Sequence, residues 1–281
     1  MSHRPTDIPQ LLILPAHALV LHEEVDARRV EPLIERLQTD AVLKNPPIAA
    51  PMDGSPGQQG RYVILDGANR TTALWKLEAA HHLIQAVDYQ EVELDTWGHL
   101  ITGIPRQVFN ASLAKSGLEL EATDRLDARE RLARREIAAS ITYPDGNAFV
   151  VHGVGSLASE TEALRRLASI YNGRSVIHRV KTDHLADLLA YYDDVTALIR
   201  FPGYTPNDIL RLADDGHKLP TGITRHVIHG RALRVNLPLG ILMEEQRSTE
   251  QKNEWLREWI KQKLARREIR YYQEATFLFD E

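Results

Sequence analysis

Apolar and polar positions along the first hundred residues alternate between the strand period and the helix period. Leu11 to Leu14 (LLIL) is a short apolar run that reads as a strand, which Ala18 to Leu21 continue after Pro15. Val30, Leu33, Ile34 and Leu37 then recur at i, i+3, i+4 and i+7, one face of a helix with Pro32 in its first turn. Lys44-Asn45-Pro46-Pro47 breaks that helix, and Ile48 to Ala50 forms a short strand. Asp53 to Gly60 (DGSPGQQG) has the composition of a loop. A strand from Tyr62 to Leu65 runs into a tight turn at Asp66-Gly67, and a helix opens at Arg70 and reaches Leu77. Leu83 to Val87 and Val92 to Leu94 are extended, and the unit ends at Thr96-Trp97.

Farther on, Thr123 to Glu136 (TDRLDARERLARRE) reads as a charged surface helix. Strands at Ile137 to Ile141, Phe149 to His152, Val176 to Val180 and Ala197 to Phe201 alternate with helical patterns at Glu160 to Tyr171, Asp183 to Tyr192 and Pro206 to Ala213. Gly173 is placed to end the first of these helices, and Thr205-Pro206 to begin the last. The expected fold class is α+β (mixed α/β), divided into residues 1–100, 101–245 and 246–281. The last division is an amphipathic helix from Thr249 to Arg267. It carries Leu256, Trp259, Ile260 and Leu264 on one side and suits docking or a homodimer. No internal repeat or low-complexity segment is present.

Composition narrows the function. The 281 residues are 43% hydrophobic and 26% charged, an ordinary globular balance. With no cysteine, disulfides, thiolate metal sites and cysteine nucleophiles are excluded. No apolar segment has the length of a membrane span, and MSHRPTDIPQ lacks the layout of a signal peptide, so a cytoplasmic location and no membrane partner are expected. The net charge is −5, from 39 acidic residues against 34 Lys plus Arg. The basic stripe that phosphate neutralisation on DNA requires is missing, so DNA is not an expected partner. The most basic run, Lys261 to Arg270, falls in the amphipathic helix and reads as its solvated face.

Three clusters carry chemistry. In RYVILDGANRTTALWKL, a strand delivers the chain to a helix N-terminus, where unpaired N–H groups and the helix dipole favour an anion. Gly67 permits the sharp turn, and Arg70 brings a planar fork of donors suited to phosphate. Asp66 beside the turn either holds Mg²⁺ or caps the helix. His22-Glu23 follows a strand. A carboxylate there acts as a general base, worth about 10²–10⁴ in rate, or as a Mg²⁺ ligand. Thr221 to His226 (TGITRH) gathers hydroxyls, a guanidinium and an imidazole into a candidate anion or carboxylate pocket. His81-His82 has no partner at metal-ligand spacing, and HExxH, Walker A, GxSxG and GxGxxG motifs are absent.

LHEE at Leu21 to Glu24, VILDGANR at Val63 to Arg70 with DTW at Asp95 to Trp97, and TGITRH occur in one chain in this order. Together they resemble the free serine kinase family, built on a ParB/sulfiredoxin-like fold, over roughly Leu12 to Leu239. That family reads Pro-His-Glu, Asp-Gly-His-His-Arg, Thr-Trp and Thr-Thr-Arg-His in the corresponding places. The first hundred residues also resemble the nucleotide-binding domain of ParB partition proteins, where a Gly-x-x-Arg turn holds phosphates.

The resemblance implies a kinase that moves a phosphoryl group from ADP or ATP, with Mg²⁺, to the hydroxyl of a small metabolite such as free L-serine. It implies Glu23 as base with His22 and Asp66 beside it, and nucleotide contacts from Asp66, Gly67, Ala68, Asn69, Arg70 and Thr71. Trp97, Thr224, Arg225 and His226 are the implied substrate residues, and Glu23 and Asp66 the metal candidates. The chain departs from the pattern at Leu21 in place of proline and at Ala68 and Asn69 in place of two histidines; Glu24 adds a second carboxylate. These departures leave open a non-catalytic ParB-type nucleotide-binding regulator, DNA-associated or not, and an inactive relative that scaffolds a complex through its last helix.

Overall fold

The computed structural model describes residues 8–53, 60–153 and 155–271. Residues 1–7 of the stretch read for a leader, positions 54–59 of the DGSPGQQG loop, Val154 and the tail after 271 lie outside them. The first layer contains β1 (Leu11–Pro15), β2 (Leu19–Leu21), α1 (Ala27–Asp40), β3 (Val42–Leu43), β4 (Ile48–Pro51), β5 (Tyr62–Asp66), α2 (Ala68–Lys76) and β6 (His81–Ala86). Its five-stranded sheet has the order β1-β6-β4-β5-β2 and is mixed, since β2–β5 and β4–β6 are parallel and the other pairs antiparallel. Strand alternation splits its apolar residues between two faces. Ile13 and Leu83 join Val30 and Leu37 of α1 and Leu74 of α2, while Leu14, Tyr62, Ile64 and Ile84 form a second cluster. Helix α1 starts three residues before Val30, because the Asp26 carboxylate accepts the Arg28 N–H (3.1 Å) and caps it. Pro32 therefore sits one turn inside the helix, not in its first turn, and cannot donate to the Arg28 carbonyl.

The second layer follows with β7 (Glu93–Thr96), β8 (Gly98–Thr102), α3 (Arg106–Lys115), β9 (Leu120–Thr123), α4 (Arg125–Ala133), β10 (Ala139–Thr142), β11 (Ala148–Val151), α5 (Leu157–Tyr171), β12 (Val176–Val180), α6 (Leu185–Tyr191), β13 (Val195–Arg200) and α7 (Pro206–Asp214). Six of these strands form a sheet of order β12-β8-β13-β10-β11-β9, antiparallel throughout, so the strand–helix alternation resolves as α+β. Ile101, Ile141 and Ile199 from this sheet pack with Phe109, Leu164, Leu167 and Ile209 from the helices in the largest core. Thr205 caps α7 in a reciprocal box with Asp208, as its position before Pro206 predicts. The single helix expected over Thr123 to Glu136 is shorter, because Thr123 belongs to β9 and Asp124 caps α4 by accepting the Leu126 and Asp127 N–H groups.

The last fifth of the chain adds β14 (Thr224–Val227), β15 (Leu237–Pro238), α8 (Leu239–Met243) and α9 (Thr249–Ala265), the last three against the first layer. Strand β14 pairs antiparallel with β7, and β15 with β3. Helix α9 lies on β1, an edge strand, where Asn253 accepts the Ile13 N–H (2.9 Å) and donates to the Ile13 carbonyl (2.7 Å). Leu256 is buried, and Trp255, Trp259 and Ile260 pack against the cluster around Ile13 and Leu74. Most of the apolar side read as a docking surface is thus docked on its own chain, and Leu264 is left exposed.

Two core histidines make stability depend on pH. His82 is fully buried against Trp75, and neither ring nitrogen has a hydrogen-bond partner among the described residues. Burial, and secondarily His81, pushes it down to about 4; burial likewise pushes His99 to about 4. The folded state favours the neutral rings. Their contribution is present above the ordinary value of 6.5 and is lost as pH falls from 6.5 toward 4. In His82→Phe, denaturant unfolding between pH 7 and 4 should lose about 3 kcal/mol less than wild type, at 1.36 kcal/mol per pKa unit. An unchanged slope would remove His82 from the account.

Candidate functional site

Buried strand β5 carries the chain to Asp66, and Gly67 turns it with φ +99°, a left-handed conformation that L side chains rarely adopt. A Cβ at this position would also sit 3.0 Å from Pro47 Cα. Gly67 occupies the N-cap of α2 without a side chain to offer, and its carbonyl takes the Thr71 N–H (2.9 Å). The N–H groups of Ala68, Asn69 and Arg70 are therefore the unpaired donors of the first turn. The helix opens at Ala68, two residues before the predicted start. Asp66 does not cap it. Its Oδ2 receives Arg70 (3.3 Å) and Arg231, the second from a loop beyond β14. Arg70 also donates to the Asn45 carbonyl (2.9 Å) and the Pro46 carbonyl (3.2 Å), which fixes the guanidinium under the turn. Asn69 Oδ1 accepts the Asp26 N–H (3.2 Å) and joins the α1 and α2 N-termini. Thr71 is fully buried with its hydroxyl donating to the Gly67 carbonyl (3.2 Å), so it serves the turn from behind.

His22 and Glu23 follow β2. The parallel bridge between Glu23 and Leu219 ties this segment to the chain entering TGITRH. The Glu23 carboxylate is held by neutral donors: the Gly222 N–H to Oε2 (2.7 Å) and the Thr224 hydroxyl near Oε1 (3.1 Å). His22 is buried, with Nδ1–H donating to the Ile64 carbonyl (2.7 Å) and Nε2 2.9 Å from the same Thr224 hydroxyl. Burial pushes this imidazole below its ordinary value, against the pull of Glu23 and the Ile64 carbonyl, so it is neutral near pH 7. Glu24 differs from its neighbour, for Arg165 pairs with it at 2.8 Å. Among the described residues, no lysine or arginine lies within ion-pair distance of Glu23.

These pieces border one cavity of about 470 Å³. Glu23, Glu24 and Thr221 form one wall, and Asp66, Gly67, Ala68, Asn69 and Arg70 another. The third wall is the face of α1 that carries Arg28, Arg29, Pro32, Leu33 and Arg36, and Arg179 of β12 completes the rim. These arginines escaped the sequence reading. The α1 residues have helical spacing on one face, a signal that the apolar stripe of the same helix obscured. Arg179 comes from a distant strand and has no local signal. Among the described residues, no group of three or more His, Asp or Glu is arranged to hold a metal ion.

The remaining predicted residues stand beside this cavity rather than in it. Arg225 and His226 lie on the β7–β14 ladder, where Arg225 faces Asp95 in register and pairs with it at 3.3 Å; Trp97 follows β7 and donates its N–H to the Ile223 carbonyl (2.8 Å). The Arg225 guanidinium lies 5.0 Å from the Trp97 ring centroid, a cation–π arrangement. His226 Nε2 is 2.8 Å from the Tyr89 hydroxyl, and its ring meets that of His22 edge-on at 5.3 Å. Burial and then His22, opposed by the Leu65 backbone, push His226 down to about 3, so it too is neutral. Thr224 joins the two regions by touching both His22 and Glu23.

No family model matches the chain. It is 23% identical over 272 residues to the ATP-dependent L-serine kinase SbnI of Staphylococcus aureus, covering 96% of this chain and 97% of that one. It is also 23% identical over 240 residues to an ATP-dependent L-serine kinase of Staphylothermus marinus, with 81% and 89% coverage. Among solved structures, a free serine kinase in complex with AMP superposes with a TM-score of 0.70 at 21% identity, covering 85% of this chain and 95% of that one. The chain therefore has the mixed α+β fold of the free serine kinases.

Proposed function

We propose that this chain is a nucleotide-dependent phosphotransferase acting on the hydroxyl of a small metabolite, free L-serine or a similar hydroxy amino acid. The observation that carries the reading is one cavity holding an open helix N-terminus, an arginine wall and a carboxylate fixed by neutral donors. Phosphoryl transfer asks for charge neutralisation and in-line positioning more than for covalent chemistry. The kinase names and nucleotide complexes of the similar proteins support the same reading. We assign residues 1–100, as a ParB/sulfiredoxin-like unit, to the nucleotide, and 101–245 to completion of the substrate site, in a cytoplasmic enzyme.

In this reading Gly67, Ala68, Asn69 and Arg70 receive the phosphates, with Arg70 and Thr71 shaping the turn. Glu23 takes the proton of the acceptor hydroxyl. It fits this role better than Glu24, which is already paired with Arg165. His22 and Thr224 orient Glu23, and Arg225 over Trp97, with His226 alongside, reads the carboxylate of the acceptor. Of the metal candidates, Asp66 fits Mg²⁺ better. Its Oδ2 is paired, but Oδ1 has no hydrogen bond among the described residues, whereas both Glu23 oxygens are engaged. Bound there with phosphate oxygens, Mg²⁺ would supply charge neutralisation. ATP, named for the similar proteins, is the first donor to compare with ADP.

Incubation with Mg²⁺, ATP or ADP, and serine should yield phosphoserine, read by mass. Glu23→Gln should lower kcat by about 10²–10⁴, the usual contribution of a general base. Saturable nucleotide binding without product from wild type would favour the non-catalytic regulator. Full activity in Glu23→Gln would remove the base assignment. Gly67→Ala should weaken nucleotide binding and lower stability by about 1–3 kcal/mol, because the added Cβ is strained at a positive φ and meets Pro47. Calorimetric titration and denaturant unfolding check the two effects.

A further inference from the structure

Arg179 lies at the rim of the candidate site, yet its strand, β12, is the outer strand of the second sheet, paired with β8 through Arg179 and His99. Its guanidinium rests against Gly222. A Cβ built on that residue would fall inside the van der Waals envelope of the guanidinium, and Gly222 adopts φ +81°. The same Gly222 donates its N–H to Glu23 (2.7 Å), so one glycine both seats the arginine and orients the carboxylate. The Arg179 guanidinium nevertheless has no ion pair or hydrogen bond among the described residues. Arg28 and Arg29 pair with Asp26, and Arg70 bonds to Asn45, Pro46 and Asp66; Arg36 is likewise without a partner among the described residues, but it lies on the α1 wall and not against Gly222, the residue that holds Glu23.

Resting on the phosphotransferase reading, we propose that Arg179 is a catalytic residue that binds the non-bridging oxygens of the phosphoryl group during transfer. A base must reach the acceptor hydroxyl, and that hydroxyl must reach the phosphorus, so a free cation beside the base lies where the phosphoryl group passes. The acceptor oxygen gives its proton to Glu23 and forms the new O–P bond. The bond from phosphorus to the bridging oxygen of the nucleotide breaks, and its electron pair leaves with the shortened nucleotide. Negative charge spreads over the equatorial oxygens at that moment, and a fork of N–H donors is matched to it. The guanidinium of this exposed residue lies against Gly222, and the absence of an anionic partner among the described residues leaves its charge unspent. A cation paired with Glu23 would instead lower the basicity of that carboxylate. The φ of +81° favours glycine at this place in TGITRH, and the missing Cβ leaves a notch with room for the guanidinium.

The test measures phosphoserine formation and nucleotide affinity on the full chain for wild type, Arg179→Ala, Arg179→Lys and Gly222→Ala. Arg179→Ala should lower kcat by about 10³-fold or more, the range for arginines acting on phosphoryl transfer, and leave nucleotide Kd within about threefold. Millimolar guanidinium should restore part of the activity of Arg179→Ala and none to wild type, which a merely structural residue would not show. Arg179→Lys should retain an intermediate rate, and Gly222→Ala should lose kcat in the same sense because the notch is filled. Wild-type turnover with an unimpaired kcat in Arg179→Ala, or a loss confined to nucleotide affinity, overturns this role alone. No product from wild type with any donor overturns the phosphotransferase reading, and the role of Arg179 with it.

Discussion

A carboxylate that is to accept a proton must be held still without being neutralised, and these demands conflict. Pairing it with a cation fixes it and makes it a weaker base; leaving it free keeps it basic but lets it wander. In the role proposed for it, Glu23 meets both demands through neutral donors, the Gly222 N–H and the Thr224 hydroxyl. That choice constrains much else. The donors come from a segment about two hundred positions away, so the Glu23–Leu219 bridge and the pairing of β14 with β7 must align before the carboxylate is oriented. Thr224 has one proton to share between His22 Nε2 and Glu23 Oε1. A neutral His22 that donates through Nδ1 to Ile64 leaves Nε2 as an acceptor. The Thr224 proton can then turn toward His22 whenever Glu23 carries one of its own.

The arginines follow a complementary logic. Arg70 spends its donors on Asn45, Pro46 and Asp66, and so braces the turn. Positive charge toward a ligand comes from the helix N-terminus and the α1 wall. The histidines add none at neutral pH, because burial keeps both His22 and His226 neutral. The electrostatic character of the cavity is therefore set by groups that do not titrate near neutrality.

Legibility in the sequence tracked how local the cause was. The strand, turn and helix of VILDGANR, and the cap at Thr205-Pro206, follow from neighbours a few residues apart, and the structure contains them. Helix α3 escaped because it has no side-chain cap and buries only Phe109 and Leu113. Strands β8 and β9 are short; the first is buried on both faces and the second too exposed to alternate clearly. At the site, His22-Glu23, the glycine turn and Arg70 were readable, whereas Arg179, Arg231 and the reason for Gly222 depend on contacts between distant segments. Of the two roles read for Asp66, the cap is not made, since Gly67 is the N-cap of α2; the Asp66 carboxylate instead receives Arg231 from a loop beyond β14.

The clamp of Asn253 on Ile13 has a consequence for how the chain is made. The partners lie 240 residues apart. At a synthesis rate of roughly 5–20 residues per second, β1 has emerged for tens of seconds before α9 exists to cover its outer edge. During that interval the Ile13 N–H and C=O offer a template for strand pairing with another chain. Any circumstance that slows synthesis of the last forty residues lengthens that exposure, and yield in a cell then depends on how quickly the ribosome finishes.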